Sequence, residues 1–363
     1  MTKHNAENER VKRDYFRYLE QALGRDPASI DRVAKSLARF EEATGWKAFK
    51  CFHREQAIAF KKRMGAARNV RSGEALSKAT IQSALRDLKA FFEWLSREPG
   101  FKARIAYSDA DYFNLSEKDA AIARASREKP VPSVEQVEHV LKAMPVQTVL
   151  ERRDRALVAF AALTGARVNA LASFQLGHID LANGFVEQDA RQVRTKFAKS
   201  FRTYFMPVCE GALEIVEAWV KELREDHLWG DGDPLFPATA IGIGETGGFQ
   251  PQGLARKGWA STGPIRDIFK RAFAAAGLPY FNPHSFRDML VHHAMALNLS
   301  PEQMKAWSQN LGHESVLTTF TSYGKVPIRR QGELIREKVS SHVTEIDDNA
   351  LLCSLAKRLG RRD

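Results

Sequence analysis

The chain has 363 residues, of which 44% are hydrophobic and 27% charged, and its formal net charge is +11. That length suits two domains and that apolar share suffices for packed cores, while the lack of any run of 18 apolar residues excludes a membrane-spanning helix. Cys51, Cys209 and Cys353 are few and far apart, which fits a reducing cytosol and excludes a disulfide framework or zinc spacing.

Met1 to Arg10 is polar and has no apolar stretch of the secretory kind. The excess of Lys and Arg points toward a polyanionic partner, because such charge displaces counterions from nucleic acid.

From about Arg13 to Pro99 the pattern is helical. Tyr15, Leu19 and Leu23 mark one apolar face, and Val33, Leu37 and Phe40 mark a second within Ile30 to Ala43. A third segment covers Arg54 to Met64. Lys78 to Ser96 is the clearest, with Ser77 as cap and Ile81, Leu85, Leu88, Phe91, Phe92 and Leu95 as the buried stripe. The spacing predicts a small four-helix domain with a basic exterior. Residues 101 to 130 read as a polar connector.

Ser133 opens a further helix on Val137, Val140, Leu141 and Met144. Helices are then expected over Arg152 to Leu163 and Ala166 to Phe174. Gly184 to Val193 and Phe201 to Val208 have strand character, and the polar turn Arg194 to Ser200 joins them as a hairpin. Ala212 to Glu225 is helical, 230 to 263 reads as a long surface loop, and helices resume at Pro264, Pro283 and Pro301.

Three features carry chemistry. Asn282-Pro283-His284-Ser285-Phe286-Arg287 starts a helix, with His284 and Arg287 three apart on one face. Leu311-Gly312-His313 breaks between helices, and Tyr323 follows His313 by ten residues. Thr164-Gly165-Ala166-Arg167 places an arginine at a helix junction. Each has an ordinary structural reading when taken alone.

Together, Arg167, His284 with Arg287, His313 and Tyr323 resemble the tyrosine recombinase family of the phage-integrase and Xer type. The family has a lysine in a hairpin turn between the first arginine and His-x-x-Arg, where Thr195-Lys196-Phe197-Ala198-Lys199 stands here. Lys196 aligns better than Lys199. The segment ending in Phe91-Phe92-Glu93-Trp94-Leu95 is similar to the family's DNA-clamping domain.

The resemblance implies a mainly α fold with a small β-hairpin or sheet in the catalytic domain, built as a two-domain, C-shaped DNA clamp. It implies a SAM-like DNA-binding domain over 12–125, a linker over 126–130, a catalytic domain over 131–340 and a tail over 341–363 that contacts a neighbouring subunit. Tyr323 would attack the scissile phosphate and form a 3′-phosphotyrosine. Arg167 and Arg287 would grip the phosphate bidentately, as lysine could not. His313 would donate a further hydrogen bond, His284 would bond the phosphate or help deprotonate the tyrosine, and Lys196 would protonate the leaving 5′-oxygen.

On this reading no metal, cofactor or ATP is needed. Lys35, Arg39, Lys61, Lys62, Arg63 and Lys78 are the candidate phosphate contacts of the first domain. The partners implied are double-stranded DNA and a homotetramer on synapsed DNA, with room for an accessory DNA-bending protein and no membrane. The location implied is the cytoplasmic nucleoid, and the role integration or excision of a mobile element.

One position departs from the family. The acidic residue usual three places after the first arginine is Ala170 here, with Asp288, Asp189 and Glu187 as candidate replacements. That departure keeps a catalytically impaired DNA-binding relative in view, and a type IB topoisomerase is the enzymatic rival.

Two other signals are set aside. Gly242-Ile243-Gly244-Glu245-Thr246-Gly247 matches a dinucleotide fingerprint but reads as a flexible loop. His292 and His293 lack partners at metal spacing.

Overall fold

The computed structural model describes residues 4–69, 72–125, 130–195, 199–244, 247–297, 299–313, 331–333 and 335–336. The chain divides into two compact units, Met1–Arg127 and Glu128–Asp363. It is mainly helical, with small antiparallel sheets in the second unit.

The first unit holds, among the described residues, five α-helices: α1 (Ala6–Arg17), α2 (Pro27–Ala43), α3 (Arg54–Ala66), α4 (Lys78–Leu95) and α5 (Glu117–Arg124). Asp26 and Ser77 cap α2 and α4 by accepting from the Ser29 and Thr80 N–H groups. The core is aromatic. Phe92 stacks on Phe52 with ring centroids 3.8 Å apart, and Phe40 meets Phe52, Phe60, Phe92 and Phe113 edge-on.

Two expectations change here. After Arg17 the helix widens into a π turn, Tyr18–Ala22, which shifts the apolar face. Leu19 therefore stays buried while Leu23 is exposed. The supposed connector contributes a 3₁₀ helix, Tyr107–Phe113, and then α5, so the unit has a fifth helix rather than four. Ile105, Ala110 and Phe113 are buried in the core. Few apolar residues anchor this stretch, and Phe113 does so by stacking on Phe52 and Phe92.

The second unit opens with α6 (Val134–Ala143) and α7 (Val149–Thr164), each started by a reciprocal capping box, Ser133 with Gln136 and Thr148 with Glu151. From Ala156 to Thr164 every residue of α7 is buried, so this helix is the axis of the core. A short α8 (Val168–Leu171) follows, then a three-stranded antiparallel sheet of β1 (Ile179–Asp180), β2 (Phe185–Gln188) and β3 (Phe201–Tyr204). Val186 pairs with Thr203 and Gln188 with Phe201. Next come α9 (Ala212–Glu225), the hairpin β4 (Thr239–Ile243) with β5 (Phe249–Leu254), and then α10 (Gly263–Ala275), α11 (Ser285–Ala296) and α12 (Pro301–Asn310).

The predicted helix over 166–174 shrinks to one turn, because Arg167 is extended (φ −69°, ψ 146°) at its start. The predicted loop over 230–263 contains the β4–β5 hairpin. Ile241 and Ile243 alternate with Gly242 and Gly244, and a Cβ on either glycine would collide with Gln252 or Gln250 of β5. The glycine fingerprint thus begins on a strand, β4, and the next described element after it is another strand, β5, not a helix.

Candidate active site

Gly165 ends α7 in the left-handed conformation (φ +56°). A Cβ there would lie 2.9 Å from both Leu290 Cδ1 on α11 and Leu311 Cδ2 after α12. The missing side chain therefore lets α11 and the turn after α12 close over the end of α7. Through that contact three distant pieces of sequence meet.

Arg287, on the first turn of α11, is 2% exposed. It donates from Nη1 to the Gly165 carbonyl (2.7 Å) and from Nη2 to the Leu311 carbonyl. Its Nη2 also lies 3.1 Å from His313 Nε2. A guanidinium can only donate, so Nε2 accepts and the imidazole proton of the neutral ring sits on Nδ1. Burial, then the charges of Arg287, Arg167 and His284, push the His313 pKa down to about 4. The same repulsion places Arg167 and His284 in one electrostatic neighbourhood with Arg287 and His313.

The depressed pKa has a consequence for stability. An unfolded histidine takes up a proton near pH 6.5, and folded His313 only near 4. His313 therefore contributes stability in full above about pH 6.5, and that contribution is lost as pH falls toward 4. Between pH 7 and pH 5 the loss should be about 2 kcal/mol. Urea unfolding at the two pH values should show it in the wild type and not in His313→Gln. Equal pH dependence in both proteins would refute the assignment.

Arg167 is half-buried at the start of α8. His284 is exposed and occupies the N-cap position of α11, one residue before the helix proper. Asn282 supports it from outside the helix, its Oδ1 accepting from the His284 N–H at 2.9 Å. Asn282 thus closes the turn before the helix, and the cap position itself is taken by His284.

The sheet is fastened to the same turn. Asn310 Oδ1 accepts from the Tyr204 N–H (2.6 Å), and Asn310 Nδ2 donates to the Tyr204 carbonyl (2.8 Å). Thr203 Oγ1 donates to the Asn310 carbonyl and accepts from buried Gln188. Gly312 (φ +69°) leaves room for the Phe201 ring, which a Cβ would meet at 2.6 Å. None of Asn310, Thr203, Gln188 and Phe201 was singled out in the sequence, because only tertiary contact reveals their role.

A cleft of about 710 Å³ opens here, lined by Lys199, Phe201, Arg202, Tyr204, Gly312 and His313 among others. Lys199 thus borders the same cleft as His313. Lys196 and Tyr323 lie outside the described residues.

Ala170 is completely buried. Of the candidate replacement carboxylates, Asp189 is held by Arg191, whose hydrogen bonds keep it well below the usual carboxylate range. Glu187 pairs across the sheet with Arg202 at 3.0 Å. Asp288, half-buried beside Arg287, stays as the third candidate. His293 packs near Trp307, and among the described residues no group of three or more metal-ligating side chains occurs.

In the first unit Arg39 and Arg63 share a cleft of about 820 Å³ with Arg68, which the sequence reading did not select. Arg63 also pairs with Glu42 at 3.3 Å. Lys35 and Lys62 are exposed on α2 and α3. Lys61 and Lys78 are engaged within the unit, donating to the Asn114 carbonyl (2.9 Å) and pairing with Asp119 (2.9 Å).

Among curated proteins, the chain is 24% identical to a tyrosine recombinase XerC of Lactobacillus delbrueckii subsp. bulgaricus over 251 residues, 68% of this chain and 72% of that one. It is 25% identical to the XerC of Shigella dysenteriae serotype 1 over 314 residues, 84% and 88% of the two chains. Among solved structures, a lambda integrase dimer bound to a COC′ core site shares the fold with a TM-score of 0.59 at 14% identity, covering 88% of this chain and 99% of that one. The model of the phage integrase family matches residues 133–327. The chain therefore belongs to the phage integrase family and is a tyrosine recombinase, an enzyme that cleaves and rejoins DNA strands.

Proposed function

We propose that Tyr323 attacks the scissile phosphate and that Arg167, Arg287, His284 and His313 form the phosphate-binding site. The observation that carries this reading is the anchoring of Arg287 to the Gly165 and Leu311 carbonyls beside a neutral His313. Anchored donors need no reorganisation as negative charge grows on the non-bridging oxygens. With its Nε2 accepting from Arg287, His313 presents Nδ1–H as the donor to the phosphate. A tyrosine with a pKa near 10 is ionised in only about one molecule in a thousand at pH 7, and nearby guanidinium groups favour the phenolate.

The covalent step forms the Tyr323 Oη–phosphorus bond as the phenol proton leaves to His284 or solvent, and breaks the bond to the 5′-oxygen, which takes its proton from Lys196. The reverse reaction with a different 5′-hydroxyl rejoins the strands. Two such exchanges through a Holliday junction, made by four protomers on paired sites, would integrate or excise a mobile element. A lambda integrase tetramer bound to a Holliday junction has a related fold, which supports the assembly. An accessory DNA-bending protein would assist where the site must be bent, and work on chromosomal DNA would place the enzyme at the nucleoid. The tail over 341–363 would contact a neighbouring protomer, and the basic cleft of the first unit would contact phosphates through Arg39 and Arg63.

A nicked target that loses the short 5′ fragment traps the intermediate. The wild type should accumulate a covalent adduct on a cognate site, and Tyr323→Phe should form none. Absence of adduct on every cognate site would favour an impaired relative, for which buried Ala170 gives a reason. Relaxation of any plasmid by a monomer would favour a topoisomerase.

A further inference from the structure

The chain that leads from β2 toward the lysine turn is tied down at Arg194. The Arg194 N–H donates to Ser173 Oγ (2.9 Å). Arg194 Nη2 donates to the Ala172 carbonyl (3.0 Å) and to the Trp259 carbonyl (2.6 Å). Ala172 and Ser173 follow α8, the turn that begins directly after Arg167. The Trp259 N–H donates to the same Ala172 carbonyl (3.2 Å), and a Cβ on Gly258 would lie 3.1 Å from it. Three chain segments therefore converge on one backbone oxygen, and Arg194 bridges two of them.

The residues beside Arg194 are fixed as well. Val193 is buried, and Gln192 Oε1 lies 2.8 Å from Nε2 of buried His178. The Ala190 N–H donates to Ser200 Oγ (2.9 Å), joining the outgoing limb to the returning one. Arg194 itself is solvent-exposed over much of its surface. An exposed arginine loses about 2 kcal/mol of rotamer entropy when ordered, so its donors must be used well to hold one geometry. Here one carbonyl, Ala172, belongs to the segment that follows the first catalytic arginine, and the other, Trp259, to a segment bonded to it.

We infer that Arg194 is a positioning residue for the general acid. It pins the chain two residues before Lys196 to the segment five residues after Arg167, and so sets the proton donor relative to the phosphate grip. The inference rests on the reading of Lys196 as the acid. Both bonds leave from one nitrogen, Nη2, so a lysine ammonium at this position would keep the charge and the donors but sits on a shorter side chain that does not carry them as far as the two carbonyls.

Replacing the bridging 5′-oxygen of the scissile phosphate by sulfur separates positioning from every other role. A thiolate, from a thiol of pKa near 8.5, leaves without being protonated, whereas an alkoxide needs the acid. Arg194→Lys and Arg194→Met should each cleave the oxygen substrate about tenfold or more slowly, since a well-placed general acid contributes on the order of 10² or more. Both should cleave the sulfur substrate at the wild-type rate, as Lys196→Ala should.

Equal slowing on both substrates would overturn the inference, because it would mean that Arg194 acts through Arg167, through DNA affinity or through folding. Unchanged cleavage of the oxygen substrate by both variants would overturn it too. If Lys196→Ala itself stays slow on the sulfur substrate, the acid assignment fails, and that result is distinct from failure at Arg194. Recovery on sulfur can come only from folded enzyme, so it also serves as the folding control.

Discussion

Arg287→Lys should reduce strand cleavage by about 10²- to 10³-fold, the loss typical of removing a preorganised charge donor from a transition state. Arg287 bonds two backbone carbonyls and lies against His313, all buried. A lysine ammonium is a single point charge that cannot span the Gly165 and Leu311 carbonyls in the plane the guanidinium occupies. At least one carbonyl would be left without a partner, which costs about 1–3 kcal/mol. The variant should therefore unfold at lower denaturant as well as cleave slowly. Single-turnover cleavage of a nicked site measures the first effect and urea unfolding the second. Cleavage within about threefold of wild type, far less than such a donor normally contributes, would contradict the role given to Arg287.

Gly165→Ala should be nearly as damaging by a different route. The backbone there is left-handed (φ +56°), which costs an L residue about 1–2 kcal/mol. The new methyl would also meet Leu290 and Leu311 at 2.9 Å, and both are completely buried. Overpacking of that kind adds about 1–3 kcal/mol. The strain falls on the carbonyl that holds Arg287, so adduct yield should drop together with stability. Adding Leu290→Ala should return part of both by making room for the methyl. A Gly165→Ala protein with unchanged stability and adduct yield would show that the close approach of α11 is not needed.

The parts of the fold legible in the sequence were those with strong local signals. α4 and α9 have wide apolar stripes, and their bounds lie where the spacing puts them. The caps at Ser77 and Ser133 were likewise readable from residue type. The β4–β5 hairpin was not, because its glycines look like loop residues until Gln250 and Gln252 are seen to cover them. The stretch after Gly100 looked like a connector because its anchor, Phe113, stacks on residues far away in sequence.

The site divides in the same way. Arg167, His284, Arg287 and His313 were named from their order along the chain, and the pKa of His313 responds to the charges of the other three. What holds them was hidden, since the partners of Arg287 are backbone carbonyls 122 and 24 residues away. A carbonyl has no residue type by which a sequence could announce it. The Asn310 clamp on Tyr204, 106 residues away, escaped for the same reason. The basic surface is only partly legible in the sequence, because Lys61 and Lys78 look like Arg39 until their partners within the unit are known.

The most direct measurement is to identify the residue that carries DNA in the trapped adduct. Trypsin would release the segment 306–325 as one peptide, with His313 and Tyr323 both in it and Tyr323 its single tyrosine. After nuclease trimming, mass spectrometry should find the nucleotide remnant on that peptide, with fragmentation placing it on Tyr323. A remnant on any other residue, or a Tyr323→Phe protein that still forms the adduct, would contradict the account.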